Sequence, residues 1–169
     1  SETAVYFKER FSIPESLEEI KSTWMDMARD KYTNKVPLKP GAREFLVWLR
    51  QQGIRTGIAS SNGIELVETV LKAQGIQEYL ESVHTCCEVP KGKPAPDIYL
   101  LVAKTLGVKP EECLVFEDVP MGILAGKNAG MRVCAVEDTF SASQREEKKE
   151  LADYYIESYD EIPRERMQP

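Results

Sequence analysis

From residue 40 onward the chain alternates between stretches of helical periodicity and short apolar runs, and four of the helical stretches stop in turn at Gly53, Gly75, Gly107 and Gly130. The spacing predicts a helix from Pro40 with Phe45, Leu46, Trp48 and Leu49 facing inward. Further helices are expected over 63–74, 95–106, 120–129 and about 143–151. Between them, strands are expected at 54–60, 82–86, 113–116, 131–136 and 154–156. Strands joined through helices with short connections lie side by side in one direction, because a parallel neighbour needs a crossover. The expected fold is therefore α/β with a mainly parallel sheet.

Residues 1–33 differ and read as helical, with one helix over 2–11 and a second over about 14–32. Leu17, Ile20, Trp24, Met27 and Ala28 form an apolar stripe suited to packing. Residues 34–41, with two prolines and a glycine, read as a linker. The charged run 145–150 reads as a solvated helix face. Gly122, Gly126 and Gly130 read as close helix packing and a helix C-cap, with no direct chemical role.

Composition narrows the function classes. With 22 basic against 28 acidic residues and no basic stripe, the chain does not suit a nucleic-acid duplex, although a local site can still hold a small anion. Four cysteines without C-x-x-C spacing read as reduced thiols, and the lone His84 leaves no multi-histidine metal site. No apolar run is long enough to span a membrane and no signal-peptide pattern opens the sequence, so a cytoplasmic protein is expected. Oligomeric state is not legible.

In an open parallel sheet, ligands sit beyond the carboxyl ends of the strands, and three loops there carry unusual chemistry. Ser60-Ser61-Asn62-Gly63 offers a hydroxyl and free N–H groups, either as an anion cradle or as a helix N-cap. Lys93, between Gly92 and the Pro94-Ala95-Pro96-Asp97 turn, is either an ammonium held stiffly beside a phosphate or a surface lysine in a turn. Glu117 and Asp118 end an apolar strand abruptly; as hard oxygen ligands they suit Mg²⁺, while Asp118 alone could instead cap the next helix.

Together, Ile58-Ala59-Ser60-Ser61-Asn62, Gly92-Lys93-Pro94-Ala95-Pro96-Asp97 and Phe116-Glu117-Asp118-Val119-Pro120-Met121-Gly122 resemble the second, third and fourth motifs of the haloacid-dehalogenase superfamily. Within it they look most like the β-phosphoglucomutase-like phosphatases and mutases, over about residues 36–160. The resemblance implies a Rossmann-like core over 36–169 and part of a helical cap over 1–35. It implies catalytic roles for Lys93 and Ser60, a phosphate site of Ser60, Ser61, Asn62 and Lys93, and Mg²⁺ held by Glu117 and Asp118. The implied activity is Mg²⁺-dependent phosphoryl transfer, as phosphatase or phosphomutase, on a small phosphorylated metabolite such as a sugar phosphate.

The family's first motif is an Asp-x-Asp at the tip of a central strand, its first aspartate becoming the phospho-aspartate. No Asp-x-Asp occurs here; Asp26 and Asp30 lie in a helical stretch. The resemblance therefore implies that the first core strand and its nucleophile belong to a segment absent from this sequence. The alternative is a truncated or degenerate, non-catalytic phosphate- or Mg²⁺-binding module. A nucleotide-binding domain finds no support, since neither a G-x-G-x-x-G after a strand nor a Walker loop is present.

Overall fold

The structure, a computed structural model, describes residues 2–164; Ser1 and 165–169, the ends of the two expected domains, lie outside it. The chain runs α1 (Glu2–Phe11), α2 (Leu17–Asn34), α3 (Ala42–Gln51), β1 (Gly57–Ser60), α4 (Ile64–Gln74), β2 (Ser82–Thr85), α5 (Asp97–Leu106), β3 (Leu114–Glu117), α6 (Pro120–Asn128), β4 (Arg132–Val136), α7 (Arg145–Leu151) and β5 (Tyr154–Ile156). Every strand pair is parallel, as the helical crossovers require.

The strands form two short sheets, β1–β2 and β3–β4–β5. Registers place Ile58 opposite Val83, Phe116 opposite Cys134 and Ala135 opposite Tyr155. Among the described residues neither β1 nor β3 has a second strand beside it.

Helices tie the sheets together. On one face α3 touches both: Phe45 meets Phe116 edge-on at 5.4 Å and Tyr159 at 5.5 Å, while Leu46 joins Val67, Leu71, Ile58 and Val83. On the other, Ile98, Tyr99 and Ala103 of α5 and Ile123 and Ala125 of α6 close over Ala59, Val115, Val133 and Ala135. Gly126 is required there, since a Cβ would lie 2.7 Å from a Val133 methyl. Gly130, at φ +77°, occupies the left-handed position that follows α6.

Residues 2–34 form a helical hairpin resting on α4. Ser16 and Glu19 make a reciprocal capping box at the start of α2, and Phe7 meets Trp24 edge-on at 5.3 Å. The stripe on α2 differs from expectation at one position: Met27 is exposed and Met25 is half-buried.

Two other expectations change. The apolar run 54–60 yields a strand only from Gly57, because Ile54 belongs to the turn after α3 and is exposed. The run 145–150 is not wholly solvated. Lys148 is fully buried, its ammonium donating to Ser141 Oγ at 2.9 Å and lying 3.7 Å from the Glu137 carboxylate, so that pairing makes burial of the charge tolerable.

Candidate active site

The Ser60, Lys93 and Glu117 loops converge at the carboxyl ends of β1 and β3. Lys93 Nζ donates to the Ala59 carbonyl at 3.2 Å, immediately before Ser60, and forms an ion pair with Glu117. Both side chains of that pair are about nine-tenths buried, with 12% and 9% exposure. The Lys93 loop is pinned from below, where Asn128 Nδ2 of α6 donates to the Pro94 carbonyl at 2.9 Å, and the Lys93–Pro94 peptide is cis.

In the first loop the capping alternative for Ser60 does not hold. Gly63 is the N-cap of α4, without a side-chain bond. The Ser60 hydroxyl instead accepts the Asn62 N–H at 3.1 Å, shaping the loop itself. Cys86 Sγ lies 3.7 Å from Ser61 Oγ, and Asn62 Nδ2 donates to the Tyr32 hydroxyl of α2 at 3.3 Å. The helical hairpin thus reaches the rim of this loop.

Asp118 caps nothing either, since the N-cap of α6 is Val119, again without a side-chain bond. Successive residues of an extended strand face opposite ways, and this separates the two carboxylates. Phe116 packs toward α3, Glu117 points toward α5 and α6, and Asp118 returns to the α3 side. Each carboxylate meets its own lysine: Glu117 meets Lys93, and Asp118 meets Lys39 at 3.4 Å.

Glu117 is heavily engaged. Its Oε1 accepts from Lys93 and from the Tyr99 hydroxyl, and its Oε2 accepts the Asp118 N–H at 3.3 Å. Burial, then the Glu117 charge, pushes the Tyr99 phenol well above its ordinary range, so it stays a donor. Gly122 makes this possible. A Cβ there would lie 2.6 Å from Glu117 Oε1 and closer still to its carboxyl carbon, so the close packing expected at Gly122 is against Glu117.

Lys39 was hidden in the stretch read as a linker. Besides Asp118 it touches Asp138, whose carboxyl it holds below its ordinary range, and it donates to the Glu137 carbonyl at 3.1 Å. A lysine followed by proline and glycine, as in Leu38-Lys39-Pro40-Gly41, carries the same stiffness signature as Lys93-Pro94 and could have been found that way. Tyr99, Asp138, Ser141 and Lys148 had no such signal. Ser141 Oγ donates to the Asp118 carbonyl at 2.6 Å, and Lys148 in turn donates to Ser141.

Lys39, Phe116, Glu117, Asp118, Val136 and Tyr159 line a cavity of about 160 Å³. Among the described residues no three acidic, histidine or cysteine side chains form a metal-binding group. What the residues offer a divalent cation is one partly exposed hard ligand, Asp118, paired with Lys39, while the oxygens of Glu117 are engaged on the other face. That donor chemistry fits Mg²⁺, which takes one or two carboxylates and fills its remaining positions with water or substrate oxygens.

A model of the haloacid dehalogenase-like hydrolases matches residues 6–130. A Drosophila melanogaster protein described as a probable pseudouridine-5′-phosphatase is 38% identical over 133 residues, 71% of this chain and 57% of its own length. Hexitol phosphatase B of Escherichia coli K12 is 32% identical over 126 residues, 75% of this chain and 56% of its own. The chain is similar to the crystal structure of CbbY from Rhodobacter sphaeroides with xylulose-(1,5)bisphosphate, with a TM-score of 0.79, 25% identity, and coverage of 89% of this chain and 68% of that one. The chain spans about half the length of the curated relatives it matches.

Proposed function

This chain belongs to the haloacid dehalogenase-like hydrolases, and on that footing we propose that it carries the phosphate- and magnesium-binding core of a phosphatase or phosphomutase. The substrate class is a small phosphorylated metabolite such as a sugar phosphate. One observation supports the reading above the rest: the Lys93 ammonium lies between the carbonyl that precedes Ser60 and the carboxylate of Glu117.

In this reading Ser60, Ser61 and Asn62 hold the phosphoryl oxygens through hydroxyl and backbone N–H groups. Lys93 offsets the charge that builds on those oxygens, and its stiff loop spares the cost of reorganising during reaction. Asp118 is the carboxylate that would hold Mg²⁺, while Glu117, turned to the other face, orients Lys93 and Tyr99. Magnesium, when bound, supplies positive charge against the transferring phosphoryl group. Residues 1–35 belong to a cap over a core of 36–169, and the protein works in the cytoplasm. No Asp-x-Asp to supply an attacking aspartate occurs in this sequence.

The test is release of inorganic phosphate from a panel of sugar phosphates by the protein at the full length of its relatives. Lys93→Ala and Asp118→Ala should each lower kcat/KM by about 100-fold or more; unchanged turnover in both removes the assigned roles. The lack of any Asp-x-Asp favours a second reading, a non-catalytic module. Its signature is a rise in Tm with Mg²⁺ and phosphate together, without hydrolysis by the full-length protein.

A further inference from the structure

We propose that Lys39 is the resident counter-ion of Asp118, and that it sets how tightly this carboxylate takes a divalent cation, with Asp138 and the Glu137 carbonyl as the place to which its ammonium withdraws. The inference rests on the reading of Asp118 as a metal ligand.

Three acceptors surround Lys39 Nζ: the Asp118 carboxylate at 3.4 Å, the Glu137 carbonyl at 3.1 Å and the Asp138 carboxylate in direct contact. The ammonium is therefore shared, and it is held more closely on the Asp138 side. Both ends of this bridge are fixed. Lys39 sits between Leu38, packed against the Val67 and Leu71 cluster, and Pro40, whose carbonyl accepts the Tyr159 N–H at 3.1 Å. Asp138 Oδ1 accepts the Phe140 N–H at 2.9 Å, and Ser141, held by Lys148, donates to the Asp118 carbonyl.

An ammonium and a dication cannot share one carboxylate without strong repulsion, since like charges a few ångströms apart are poorly screened in a partly enclosed site. The Asp118 side chain is 39% exposed, enough for an incoming ion to reach it. A cation bound there needs the ammonium to draw back, and Asp138 with the Glu137 carbonyl provides the acceptors for it to do so without moving the backbone. Lys39 thereby lowers cation affinity, and Asp138 limits that loss by retaining Lys39. Asp138 acts through Lys39 and is a positioning residue.

Mn²⁺ binding, read from the loss of the free-ion electron paramagnetic resonance signal, tests this without any turnover. Lys39→Met should bind Mn²⁺ about tenfold more tightly than the parent chain, and Asp138→Asn about tenfold more weakly. In the Lys39→Met background, Asp138→Asn should change affinity by less than about threefold, because its route of action is gone. Circular dichroism melts confirm that each variant is folded. Unchanged or weaker binding by folded Lys39→Met overturns the role of Lys39. An equal effect of Asp138→Asn in both backgrounds makes Asp138 a direct ligand and overturns its positioning role. Asp118→Asn separates the two levels. If it abolishes binding while Lys39→Met does nothing, the metal reading stands and this inference falls; if it leaves binding intact, both fall.

Discussion

Replacing Gly122 by alanine should destabilise the protein although the change is a single methyl on a helix. The added Cβ would lie 2.6 Å from Glu117 Oε1 and nearer still to the carboxyl carbon. Glu117 is a flexible side chain, so the clash itself could be relieved cheaply; what makes it costly is what Glu117 holds. Moving it breaks its bonds to the Lys93 ammonium and the Tyr99 hydroxyl in a setting about nine-tenths buried. Two hydrogen bonds to a charged group contribute about 1.5–3 kcal/mol each. Alanine returns about 1 kcal/mol through its better helix propensity. The expected net loss is about 2–5 kcal/mol, or roughly 4–20 °C in Tm for a chain of this size. Thermal and urea unfolding measure it. Gly92→Ala is the control, since a Cβ there meets nothing within 4 Å and its φ is not in the left-handed region. Glu117→Ala gives a sharper check. In that background the space is already empty, so adding Gly122→Ala should cost nothing further. A Gly122→Ala variant melting within about 2 °C of the parent, or full additivity in the double variant, refutes the reasoning.

Two further outcomes follow from single contacts. Ser82 Oγ is buried with no hydrogen-bond partner among the described residues, so Ser82→Ala should raise stability by about 1 kcal/mol in urea unfolding, and a loss would contradict the account. Glu137 is held down at about 2 by its hydrogen bonds to Arg145 and then Tyr155. Its stabilising effect is complete above the unfolded carboxylate range near pH 4.5 and fades as pH falls toward 2. The Tm gap between the parent and Glu137→Gln should therefore be widest near neutrality and close on acidification; a constant gap would show that the charge of Glu137 is irrelevant.

Local signals in the sequence carried most of the candidate site. Lys93 was legible because the prolines after it restrict the backbone, and Glu117 and Asp118 because charge at the end of an apolar strand is costly without a purpose. The parallel direction of the strands was legible from the helices between them. Other features depend on tertiary contacts that no short window contains. Lys39 carries the same Lys-Pro signature as Lys93, yet two prolines and a glycine also describe a linker, and only the return of Asp138 from a distant loop distinguishes them. Lys148 sits in a run of charges whose pattern promises solvent, and its burial depends on Ser141 and Glu137 reaching it. The pleat that sends Glu117 and Asp118 to opposite faces follows from strand geometry, but the partner waiting on each face does not.

Two lysines, Lys39 and Lys93, face three carboxylates, Glu117, Asp118 and Asp138, leaving one uncompensated negative charge. A dication alone would tip this balance to net positive, and a phosphate dianion alone would deepen the deficit. The two arriving as a pair leave the tally where it began. Such an arrangement favours synergy: the occupancy of each ligand should climb with the concentration of the other, and neither should saturate the pocket well in isolation.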